Sequence, residues 1–184
     1  MSETEILQHK SFVAGSIMQS VAALESEVWS LVNHGPGHHL GGDSFDKEGK
    51  RVLSIVAESL EKETIVKRCD LMLQLIRGKK LDVGKQPIQD LSLLIRLRNE
   101  ITHFKSLWTT EMDSKTLFDV LKAKDANPPS FYVGLGMNFF PHICLNFGRA
   151  KWAVDTVVSF IDYYYKELEI KSPLDGHDRY LISL

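Results

Sequence analysis

The chain has 184 residues, 43% hydrophobic and 25% charged, with a formal net charge of -2. That length suits one domain with a sizeable core, and the charge argues against a protein that binds nucleic acid over its whole surface. No apolar run reaches the roughly 18 residues of a membrane span, and the polar start MSETEILQHK lacks the marks of a signal peptide. Only two cysteines occur, Cys69 and Cys144, without C-x-x-C spacing. Reduced thiols and a cytoplasmic location are expected.

In chain order, residues 3–33 carry the clearest helical pattern. Ile6, Phe12, Val13, Ile17, Val21, Leu24, Val28 and Leu31 recur mostly at steps of three and four, the spacing of an amphipathic stripe. His34-Gly-Pro-Gly37 stops it, and HGPGHHLGGD, residues 34–43, reads as a loop. Ser44 is a candidate N-cap for a second helix, with Glu48 near the third turn position. Val52, Val56 and Leu60 continue that helix, the stripe slips at ESLEKET, residues 58–64, and it resumes at Ile65, Cys69, Met72 and Ile76. Two helices, or one kinked helix, are expected to end at Gly78, with a loop over 78–86.

Pro87 suits a first helical turn, and Leu91, Leu94, Leu97, Ile101, Phe104 and Trp108 form the next apolar seam. A short helix is expected near 114–124, and ANPPS, residues 126–130, breaks it. FYVGLGMNFFPHI, residues 131–143, reads as a packed crossing loop. A last long helix is expected from about 143 to 169, with Ile143, Phe147, Ala150, Ala153, Val157, Phe160, Ile161 and Tyr164 inward. Trp152, Phe160 and Tyr163–Tyr165 could stack bases, but helical spacing favours core or interface packing. No strand alternation is strong enough to build a sheet. The expected class is all-α, a four-helix-type bundle with additional short helices forming one domain over 1–184.

The charge is uneven. Residues 1–66 hold 5 Lys/Arg against 10 Asp/Glu, residues 67–105 hold 9 against 4, and residues 106–184 hold 8 against 10. A local basic region can attract phosphate on an acidic protein, and a solvated face is the competing reading.

Within the basic third, LRNEITHFK, residues 97–105, sets Arg98, Asn99, Thr102 and His103 in an arc of roughly 140° away from the apolar seam, at 100° per residue. Ile88, Ser92 and Ile95 share that arc, with Leu91 at its edge between the two faces, which suggests a second, half-apolar face for a partner, such as another copy of the chain. Asn99 and His103 are an i, i+4 pair, as are Arg98 and Thr102, whereas Arg98 and His103 are offset by five. Histidine can exchange a proton near neutrality, and arginine grips phosphate with paired hydrogen bonds. An RNA 2′-hydroxyl then serves as an internal nucleophile.

Arg98 to His103, R-N-E-I-T-H, resembles the R-x4-H signature of the HEPN superfamily, in which a polar residue, often Asn, follows the Arg. LIRLRNEITHFK and the later AKWAVDTVVSFIDYY are similar to segments of bacterial members. The resemblance implies a helical bundle that dimerises around the motif helix. It also implies a metal-independent ribonuclease, as in many toxins of toxin–antitoxin pairs and antiviral effectors, without a cofactor. By carry-over, Arg98 and His103 would be catalytic, with Asn99 and Thr102 supporting and Arg96 and Lys105 as weaker RNA contacts. RNA or a nucleotide, a homodimer partner and an antitoxin or other protein are the implied partners. The alternative within the same resemblance is an inactive nucleotide-, RNA- or protein-binding module.

His34, His38, His39 and Asp43 include metal-ligating residue types, but H-x3-H-H in a glycine loop matches no defined site, and a polar loop is the better reading. A carboxylate-bridged metal bundle needs two Glu-x-x-His pairs, and only Glu100 to His103 occurs in a helical pattern.

Overall fold

The structure is a computed structural model. It describes residues 2–34, 47–103, 117, 120–121 and 144–175. Its elements are α1 (Glu3–His34), α2 (Lys47–Glu61), α3 (Ile65–Arg77), α4 (Gln86–Thr102) and α5 (Phe147–Glu167). Leu117, Val120 and Leu121 are also helical, and no strand occurs among the described residues. The protein is all-α. Ser44, the crossing loop over 131–143 and most of the short helix near 114–124 lie outside the described residues.

Local chemistry explains the helix ends. Thr64 is extended (φ -65°, ψ 156°), and its hydroxyl accepts the Lys67 N–H to open α3. Gly78 closes α3 in the left-handed region at φ 66°, giving its N–H to the Gln74 carbonyl, a conformation that costs glycine little. The stripe slip at 58–64 is therefore a real break between two helices. Pro87, in the first turn of α4, lacks an N–H where none is needed.

The fifth helix starts later than residue 143. The Asn146 carboxamide accepts the Arg149 N–H at 2.8 Å, so Asn146 caps the helix and residues 147 onward form it. At the other end Glu169 adopts φ 57°, with Ile170 N–H bonded to the Tyr165 carbonyl and Glu169 N–H to that of Lys166. This Schellman pattern ends α5 near residue 167.

The contacts divide the chain into two compact units, one of Met1–Val21 and Asp90–Thr156, the other of Ala22–Gln89 and Val157–Leu184. The boundaries fall inside α1, α4 and α5, so three helices contribute to both. In the first unit, Ile6, Val13, Ile17 and Val21 of α1, Leu91, Leu94 and Leu97 of α4, and Ala153 of α5 are buried. In the second, Leu24, Val28 and Leu31, Leu53 and Leu60, Cys69, Met72 and Leu73, and Phe160 and Tyr164 are buried. Each fully buried aliphatic side chain contributes roughly 1.5–3 kcal/mol over an exposed one.

Two expected core positions are surface positions. Phe12 is 77% exposed and Phe147 is 62% exposed. Phe12 and Val13 point about 100° apart, and the core takes Val13. Phe147 is the first residue of α5, just beyond the Asn146 cap, and it precedes the turns that carry the buried stripe. In α2 the buried residues are Leu53 and Leu60, with Val52 and Val56 only half-buried.

The second unit holds several polar anchors. Tyr164 donates to the Cys69 carbonyl at 3.0 Å, and the phenol of Tyr165 donates to the Glu27 carboxylate. The rings of Phe160 and Tyr164 stack 5.7 Å apart. Phe160, Tyr164 and Tyr165 are thus core residues. Cys69 and Cys144 are buried, and neither is in a disulfide.

Candidate functional site on the fourth helix

Leu91, Leu94 and Leu97 are fully buried and set the rotation of α4. That rotation leaves Arg96, Asn99, Thr102 and His103 exposed and Arg98 half-buried, its Nε removed from solvent. The Thr102 hydroxyl donates to the Arg98 carbonyl at 2.8 Å, a back-bond common for threonine in helices. His103 lies one residue past α4, yet its N–H still reaches the Asn99 carbonyl at 2.9 Å. The helical path therefore extends through His103 and keeps Asn99 one turn below it. Arg98 and Thr102 share the neighbouring ridge. Arg98 and His103 diverge by roughly 140° about the axis, by ideal helical geometry.

The second face of α4 is narrower than the wheel suggests. Ile88, expected on it, is only 1% exposed, whereas Ile95 is half-buried and Ser92 exposed. A wheel projects the whole helix onto one circle, but residues up to Gln89 belong to one compact unit and those from Asp90 to the other. Ile88 faces a different set of neighbours from the residues below it on the wheel.

Much of the basic stretch is already engaged. Arg68 bonds the carbonyls of Leu60, Glu61 and Glu63, and Arg77 bonds that of Leu168 at 2.7 Å. Lys79 pairs with Glu169 at 2.7 Å and Lys85 with Glu167 at 3.6 Å. The ammonium of Lys85 also lies over Tyr163, 5.1 Å from the ring centre. Arg77, Lys79 and Lys85 thus surround the C-terminal end of α5, where cations are favourable.

Lys105, His38, His39 and the imidazole of His34 lie outside the described residues. Among the described residues, no group of three His, Cys, Asp or Glu side chains could hold a metal ion. No helix described is long and apolar enough to cross a membrane.

Arg149, passed over in the sequence, is almost fully buried at 2% exposure. Its guanidinium donates to the Leu121 carbonyl at 2.8 Å and lies 5.0 Å from the centre of the Trp152 ring. Flanked by Gly148 and Ala150, it carried no local signal of burial.

No family model, no curated protein and no solved structure matches the chain.

Proposed function

We propose that the protein is a metal-independent endoribonuclease of the HEPN type, acting in the cytoplasm as a homodimer within a toxin–antitoxin or antiviral system. The observation that carries this reading is the exposed His103–Asn99 pair at the end of α4, one ridge from the half-buried Arg98. His103 takes the proton of an RNA 2′-hydroxyl. The 2′-oxygen attacks the adjacent phosphorus, the bond to the 5′-oxygen breaks, and that oxygen leaves with a proton. Arg98 binds the non-bridging oxygens as their charge grows. Asn99 orients the site, Thr102 supports the Arg98 turn, and Arg96 and Lys105 contact neighbouring phosphates.

The test is incubation of the purified protein with single-stranded RNA in the presence of a chelator. Products with 2′,3′-cyclic phosphate ends are expected, and they should disappear in folded His103→Ala and Arg98→Ala variants. Equal cleavage by the wild type and both variants would overturn the assignment.

The divergence of Arg98 and His103 favours a second reading, a helical module that binds a nucleotide, RNA or an antitoxin-like protein without turnover. It predicts saturable binding, weakened by changes at Arg98 or Ile95, and no cleavage.

A further inference from the structure

We propose that Arg96 holds the RNA phosphate next to the scissile one, so that the strand runs along an exposed ridge of α4 formed by Arg96, Asn99 and His103. The inference rests on the reading of His103 as the group that acts on RNA. It adds the path of the strand and the smallest good substrate. The ridge lies wholly in the first unit.

Packing opens only part of the polar arc. At 100° per residue, Arg98 projects about 20° from Leu91 and about 40° from Leu94, and both leucines are fully buried. Arg98 is accordingly half-buried, with its Nε removed from solvent. On the same flank Ile88 is buried and Ile95 half-buried. The exposed sector begins at Asn99 and ends at Arg96, an arc of roughly 60° with Ser92 and His103 between them, by the same geometry. Ser92, Arg96, Asn99 and His103 are all exposed.

Charge singles out Arg96 on this ridge. Arg51 pairs with Glu48, Arg68 and Arg77 bond backbone carbonyls, and Arg149 is buried on the Leu121 carbonyl. The guanidinium of Arg96 has no hydrogen-bond or ion-pair partner among the described residues, and neither has the imidazole of His103. Glu100, about one turn from each, is half-buried and pairs with neither. Arg96 offsets that carboxylate and keeps its donor fork for a phosphate. Arg96 and His103 lie about 20° apart around the axis and about 10.5 Å apart along it, at 1.5 Å per residue. They stand on one line of the helix, spaced for two phosphates in succession. A single strand with its scissile phosphate at His103 presents the next one to Arg96, and Asn99, one turn below His103, faces the nucleotide between them.

The test compares the wild type with Arg96→Ala and Arg96→Lys on two probes. Binding of a 2′-O-methyl oligonucleotide, which cannot be cleaved through its 2′-oxygen, is measured by fluorescence anisotropy across a salt series. Arg96→Ala should weaken it about tenfold at low salt and flatten the slope of log affinity against log salt by about 0.7, the share of one single-strand phosphate. Arg96→Lys should restore the slope. On a cleavable RNA of the same sequence, Arg96→Ala should raise KM and leave kcat unchanged. On a dinucleoside monophosphate, which lacks the second phosphate, wild type and Arg96→Ala should have equal kcat/KM. Equal affinity and equal salt slope in the wild type and Arg96→Ala would overturn the proposal, and so would an equal loss on the dinucleoside monophosphate. Cleavage without any dependence on Arg96 sinks the strand path alone. Arg96-dependent binding without cleavage sinks the ribonuclease reading and supports the path.

Discussion

The guanidinium of Arg68 lies 4.3 Å from the centre of the Trp29 ring while its Nε–H bonds the Leu60 carbonyl at 3.0 Å. One side chain of α3 thus joins α1 to the end of α2. Arg68 is only 6% exposed, and its further bonds to the Glu61 and Glu63 carbonyls satisfy groups at the C-terminus of α2 and in the turn just beyond it. Arg68→Ala should cost about 2–4 kcal/mol, because it removes one buried and two part-buried hydrogen bonds to carbonyls as well as the stacked cation. Arg68→Lys should recover only part of that, since an ammonium lacks the planar fork. Urea denaturation of the three proteins checks the order.

Under the proposed ribonuclease function, removing the imidazole at position 103 should lower RNA cleavage roughly 100- to 10,000-fold, the usual worth of a positioned acid/base group. Because His103 is exposed, the midpoint of thermal unfolding should stay close to that of the wild type. Single-turnover assays on an end-labelled RNA, paired with circular dichroism melts, separate lost chemistry from lost fold.

Two apolar positions five residues apart on α1 should respond very differently. Ile17 is fully buried and Phe12 is 77% exposed. Ile17→Ala should destabilise by about 2–5 kcal/mol through a cavity, whereas Phe12→Ser should fall within about 0.5 kcal/mol apart from a small loss of helix propensity. A Phe12 effect as large as that of Ile17 would place Phe12 in an interface.

Burial pushes the Cys69 thiol up to about 12, partly opposed by the Arg68 charge beside it. The unfolded thiol titrates near 8.5. The folded form therefore holds its proton to higher pH, and the stability tied to this group is intact below about 8.5 and drains away as pH climbs from there. In the native protein at pH 8, Cys69 should resist thiol reagents and react only on unfolding. Site-resolved mass spectrometry of the labelled protein reads this directly, and Cys69→Ala should flatten the alkaline decline of stability.

Gly78 and Glu169 both occupy the left-handed region, at φ 66° and 57°. Gly78→Ala should destabilise by about 1 kcal/mol, since a Cβ there is strained. Glu169→Gly should be close to neutral, because relief of that strain offsets a lost exposed pair with Lys79 that is worth at most about 1 kcal/mol. Thermal denaturation of the two variants tests the contrast.

The all-α class, the helix over residues 3–34, the stop at Gly78 and the inward faces of α3, α4 and most of α5 are legible as periodicity and punctuation. Ile17 on α1, Cys69 on α3 and Leu94 on α4 each lie on the apolar stripe of their own helix, and each is fully buried. The late start of α5 was also written locally, in an asparagine whose carboxamide captures an N–H three residues on. The polar arc of α4 follows from the same arithmetic, with the leucine seam turning Asn99 and His103 outward.

Other features depend on neighbours far along the chain. The burial of Arg149 rests on a carbonyl 28 residues away, and the use of Arg77 on one 91 residues away. Ile88 looked like a partner-face residue because a helical wheel discards position along the axis, while α4 passes from one compact unit into the other. Local periodicity determined which helices exist and which side of each is apolar, since both follow from 3.6 residues per turn. Tertiary structure decided which cations are spent on carbonyls and which apolar side chains stay at the surface, because each depends on what long-range packing sets opposite them.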